Sequence, residues 1–171
     1  MFCLVILRKL LVVVCTVVLL GSHISVASAG SKSGSAKGVK GQQLSVTPVA
    51  GLVDGQELTV TGSKYEKNVG IYVAYCEIPK PGVKPDHCFG GININGSSKG
   101  SIWITSNKPW YVPASVVKKF GKNGSFKVKV TVAKMIDGTD CTVVKCGIVT
   151  RADHTRSEYR KADVLVPVRF K

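Results

Sequence analysis

Beyond residue 43, apolar and polar residues alternate along most of the chain. Leu58 and Val60 interleave with Glu57, Thr59 and Thr61, and Phe126, Val128, Val130 and Val132 interleave with Lys127, Lys129 and Thr131. Successive strand side chains point to opposite faces, so each run predicts a strand with one face on a core. Gly70 to Ile78 differs. Ile71, Val73 and Tyr75 share one face, while Tyr72, Ala74, Cys76 and Ile78 share the other, as a central strand covered twice requires. Shorter strands are predicted at Leu44–Val46 (an edge strand stopped by Pro48), Ile92–Asn95, Ser101–Thr105, Gly147–Thr150 and Asp163–Phe170. Turn signals such as Asp54-Gly55 separate them. A helical turn is expected only at Ala114 to Phe120, inside the irregular segment Asn107 to Asn123. Short strands punctuated by turns at regular spacing predict an all-β sandwich.

The N-terminus follows a different pattern. Arg8 and Lys9 precede the apolar run Leu10 to Leu20, and Ala27-Ser28-Ala29 supplies small residues at its end. This predicts a Sec-type signal peptide over 1–29, cleaved near Ala29, and a secreted or envelope protein. Residues 30–43, GSKSGSAKGVKGQQ, lack an apolar period and predict a flexible basic linker. The folded domain is then 44–171.

Of the 6 cysteines, Cys3 and Cys15 lie in the signal segment. The other four enter an oxidising compartment, where disulfides persist. Four cysteines permit three pairings. The local pattern, Cys76–Cys88 and Cys141–Cys146, is preferred because each pair brackets turn-rich sequence.

The chain carries 24 Lys and Arg against 10 Asp and Glu, a formal charge of +14, which falls to +12 once Arg8 and Lys9 are removed. Such a surface attracts DNA or anionic polymers non-specifically. Candidates are Lys32, Lys37, Lys40, Lys127 and Lys129, with Arg151, Arg156, Arg160 and Lys161 near the C-terminus. Lysines on strand faces also keep a sheet soluble and blunt its edges, which explains the same charge without a partner.

Few residues suggest catalysis. Gly96-Ser97-Ser98-Lys99-Gly100 fits the nucleophile pattern G-x-S-x-G, but a β-like run follows where a helix is needed, so a hairpin turn is the better reading. Asp86-His87 and Asp153-His154 are adjacent couples, yet neighbours in a strand diverge to opposite faces. His87-Cys88 hints at a metal site, although an exported cysteine is oxidised rather than ligated. A histidine, Tyr72 or Tyr75 could serve as an axial haem ligand. Asn95-Gly96-Ser97 and Asn123-Gly124-Ser125 match glycosylation acceptors and ordinary turns alike. The expectation is a non-enzymatic protein, without metal or resident cofactor and monomeric.

The segment Val46-Thr47-Pro48-x-x-Gly51-Leu52-x-Asp54-Gly55 resembles the opening of the neocarzinostatin family of actinobacterial secreted apoproteins. The likeness resumes at Cys76…Cys88 and at Asp140-Cys141-Thr142-x-x-x-Cys146, each pair being a disulfide in that family. The resemblance implies a seven-stranded immunoglobulin-like sandwich with a cleft at one end. In family members the cleft holds an enediyne-type antibiotic chromophore. Carried over, the ligand-binding positions are Tyr72, Ala74, Cys76, Ile78, Cys88 and Phe89, with Gly147 and Arg151 on the far wall. The implied function is retention of a small apolar or aromatic ligand. Two alternatives are a cationic envelope protein that binds anionic polymers or DNA, and an accessory module of haem uptake. The sequence departs from the family pattern at Ile78 (an aromatic position), at Gly147 (a glutamine position), and in its basic charge.

Overall fold

The computed structural model describes residues 32–91, 93 and 95–171. The expected signal peptide and its cleavage point near Ala29 lie outside the described residues, as do residues 92 and 94 of the strand expected at 92–95.

Two sheets, antiparallel except for the last pair of the second, face each other across one apolar layer. The first runs in the order β1 (Gly34–Lys37), β2 (Gln43–Thr47), β3 (Glu57–Ser63), β7 (Phe126–Thr131). The second runs β11 (Val164–Val168), β10 (Cys146–Ala152), β4 (Ile71–Glu77), β5 (Ser101–Ile104), β6 (Val117–Lys118). A ribbon of β8 (Met135–Ile136) and β9 (Thr139–Asp140) leads into the Cys141–Cys146 loop. The chain is an all-β two-sheet sandwich with two disulfides. The two sheets hold nine strands among the described residues, two more than the seven expected, with β1 and β6 at one edge each.

The alternation seen in the sequence sets the register. Leu44, Val46, Leu58, Val60, Val128 and Val130 turn inward from the first sheet and meet Ile71, Val73, Tyr75, Ile148, Val164 and Val166 of the second. Burying a Val, Leu or Ile side chain contributes roughly 1.5–3 kcal/mol each, so this layer dominates stability. β4 is buried on both faces, as its sequence predicts.

Three expectations are corrected. Within the segment expected to be a flexible linker, residues 32–43 are not free, because Gly34 to Lys37 pair with Val46 to Gln43 as the outermost strand. Ala36 packs on the core, and a Cβ on Gly34 would stand 3.0 Å from both Val166 Cγ1 and Val49 Cγ1, so a glycine fits where the sheets close. β2 is therefore an interior strand, not an edge. The helical turn expected at Ala114 to Phe120 is a single turn closed from Val116 N to Pro113 O, followed by β6, which runs parallel to β5. Val116 and Val117 are β-branched and gain more by packing on Trp103 than by helix formation.

Candidate functional site: a cleft over the outer face of β4 and β10

β4 and β10 pair so that Tyr72 lies opposite Arg151, Ala74 opposite Val149, and Cys76 opposite Gly147, all on the outer face of the second sheet. The loop after β4 returns over that face. Cys76 and Cys88 are bridged with Cα atoms 4.0 Å apart, and Glu77 N donates to His87 O at 2.9 Å while Phe89 N donates to Tyr75 O at 2.8 Å. These bonds extend the β4 ladder beyond β5. Further back in the loop, the Arg151 guanidinium donates to the carbonyl of Pro85. A cleft of about 240 Å³ is left beneath the loop, lined by Tyr72, Ala74, Lys84, Asp86, Cys88, Gly91 and Arg151. It lies just under the roughly 300–1,000 Å³ usual for drug-sized ligands.

Four of the eight carried-over positions, Tyr72, Ala74, Cys88 and Arg151, line this cleft. Cys76 is fully buried beneath it as the other half of the bridge. Phe89 does not line it. One residue past Cys88, the side chain alternates to the inner side and packs on the main core. Gly147 and Ile78 sit past the disulfide and contact each other; a Cβ on Gly147 would meet Ile78 Cδ1 at 3.1 Å and Val166 O at 2.5 Å. That end of the face is closed. Lys84, Asp86 and Gly91 complete the lining, and only the loop's return reveals them, because their sequence carries turn signals and no period.

Beside the cleft the face is occupied by the protein itself. The segment between β5 and β6 folds back so that Val112 and Val117 cover Tyr72 and Trp103 in a second small core. His154 completes an aromatic group, with its ring 5.0 Å from Trp103 and its Nδ1 2.7 Å from the Tyr72 hydroxyl. Burial, and after it the negative charge of Asp153, push the Tyr72 phenol well above the ordinary tyrosine range, while Arg151 pulls the other way. Tyr72 is a neutral wall.

Adjacent Asp-His pairs do not form catalytic couples. The Asp153 carboxylate is buried and accepts from Trp103 Nε1 at 3.0 Å, Thr155 N at 3.0 Å and Thr155 Oγ1 at 2.6 Å, while His154 turns to Tyr72. His87 is exposed, with Nδ1 3.3 Å from Glu77 Oε2. Ser98 sits in a turn held by Asn93, its hydroxyl accepting from Gly100 N at 3.0 Å, and β5 follows. Of the haem-ligand candidates, Tyr72 and His154 are hydrogen-bonded to each other, Tyr75 points into the main core, and His87 lies apart on the surface.

The model of the neocarzinostatin family matches residues 44–167. A Corynebacterium glutamicum protein named thiamine biosynthesis protein X is 26% identical over 129 residues, a match spanning 75% of this chain and 62% of that protein. The chain thus covers less than two thirds of that relative's length. Among solved structures, macromomycin superposes with a TM-score of 0.48 at 19% identity, over 76% of this chain and 99% of macromomycin.

Proposed function

The chain belongs to the neocarzinostatin family, and from that premise we propose that it is a non-catalytic binding protein whose cleft over β4 and β10 holds a small ring-bearing ligand. The observation that carries this reading is the 240 Å³ cleft itself, with an aromatic and a disulfide wall under a loop fixed at both ends. A rigid, largely preformed cavity loses little entropy on binding. Its size favours a compact ligand over a bulky antibiotic chromophore, because Trp103, Val112 and Val117 fill the adjoining surface. The two disulfides support export to an oxidising compartment as part of the same proposal.

A second reading draws on the corynebacterial relative. Its name concerns thiamine biosynthesis, and the charged lining of Lys84, Asp86 and Arg151 suits a polar heterocycle better than a purely apolar ring. Both readings are tested by titrating the isotopically labelled protein with single-ring compounds, thiamine among them, and following backbone amides. Shifts gathered on Tyr72, Ala74, Lys84, Asp86, Cys88 and Arg151 are expected. If every compound leaves those amides in place, the cleft is not a binding site.

A further inference from the structure

Arg151 is only 8% exposed, yet it has no carboxylate within ion-pair distance among the described residues. A buried charge without a partner is costly, and proteins ordinarily pair it. Among the described residues its acceptor is the neutral carbonyl of Pro85.

Among the described residues, none of the nearby acids reaches it. Asp153 is held by Trp103 and Thr155. Asp163 takes Arg160 at 2.9 Å. Asp86 stands on the exposed rim, where Lys84 lies beside it. The buried wall of the cleft therefore presents a guanidinium, and no acid balances it at contact range.

We infer that Arg151 is an anion receptor, and that the cleft takes a small ring compound bearing a carboxylate or phosphate, with the oxyanion on the Arg151 guanidinium and the ring toward Tyr72 and the disulfide. The inference rests on the cleft being a ligand site. A guanidinium presents five N–H donors in a planar fork that matches an oxyanion by paired hydrogen bonds, and only one nitrogen is used by Pro85. Lys84 adds a second positive charge at the rim. Its contact with Glu158, at 3.4 Å and exposed, is weak enough to yield.

The test titrates the protein with phenyl phosphate, benzoate, inorganic phosphate and benzyl alcohol, by calorimetry and by amide and arginine side-chain resonances. Phenyl phosphate or benzoate is expected to bind at least tenfold more tightly than benzyl alcohol and to move the Arg151 Nε–H resonance; which of the two prevails identifies the oxyanion. Arg151→Gln should abolish the preference, Arg151→Lys should retain part of it, and Lys84→Gln should weaken it severalfold. If benzyl alcohol binds as tightly as the anions and Arg151→Gln changes nothing, the receptor is overturned and the cleft survives. If inorganic phosphate alone moves Arg151 while no ring compound binds, the oxyanion site stands and the ring-ligand reading falls. If nothing moves, both fail. Should Arg151→Gln not fold, the wild-type Nε–H resonance decides, since its indifference to a bound anion contradicts the inference.

Discussion

At the scale of single residues, the site is held by polar groups that the sequence does not advertise. Trp103 reads as one apolar residue of a short strand, yet its indole N–H is a donor to the buried Asp153 carboxylate. Trp103→Phe should cost about 1–3 kcal/mol, the usual penalty for a buried acceptor deprived of a donor, measurable by urea unfolding. Asp163 offers a pH-dependent test. Burial raises its pKa to about 6 from the ordinary 3.8, against the pull of Arg160 and Arg151, and its Oδ1 has no hydrogen-bond partner. The folded state then binds a proton more tightly than the unfolded one. The resulting stability is fully present below about pH 4 and is lost as pH rises through about 6, on the order of 1–3 kcal/mol. Asp163→Asn should flatten the stability profile across that window. Asp153 and His154 lie past the end of β10, in the cap and first residue of a 3-10 turn, so strand alternation does not decide their pairing. Asp153 is drawn to Thr155 and to Trp103 of β5, and His154 to Tyr72 of β4.

At the scale of elements, strands with strong alternation were legible and those without it were not. β3, β4 and β7 follow from Leu58, Val60, Ile71, Val73, Phe126 and Val128. β1 has one apolar side chain, Ala36, and is a strand only because the edge of β2 offers it a ladder. Removing residues through Lys40 should therefore expose that edge. Amides of β2 that now face β1 should lose hydrogen-exchange protection, and the shortened protein should self-associate more readily; unchanged protection would mean that β1 detaches in solution. The loop clamped by Cys76–Cys88 is half legible. Its bridge could be read from spacing, but the course that lets Lys84 and Asp86 face the cleft depends on Arg151 and Pro85. Replacing both cysteines by alanine should remove about 3 kcal/mol through the lost chain-entropy constraint. Because the bridge also forms one wall of the cleft, the same change should weaken ligand binding. Thermal unfolding and ligand titration of the double variant measure the two effects.

At the scale of the whole molecule, part of the +14 charge gathers at one edge of the sandwich. Lys118, Lys127 and Lys129 converge with Thr59, Ile102 and Val128 around a second cavity of about 350 Å³ where the edges of β6 and β7 meet. Anionic polymers should engage this edge through a salt-sensitive field, and replacing the three lysines by glutamine should lower the salt needed for elution from heparin. An unchanged elution would leave the lysines as solubilising groups. Lys37, which the sequence assigns to a linker, belongs to β1, so point substitutions test its contribution more cleanly than deletion does.

The proposed function requires that the protein carry a small ligand in the cleft beneath the 79–91 loop. Comparing the mass of protein isolated from its natural source under native and denaturing conditions tests this most directly. The expected result is an excess native mass, corresponding to one small molecule per chain, that disappears on unfolding. Identical native and denatured masses would contradict it.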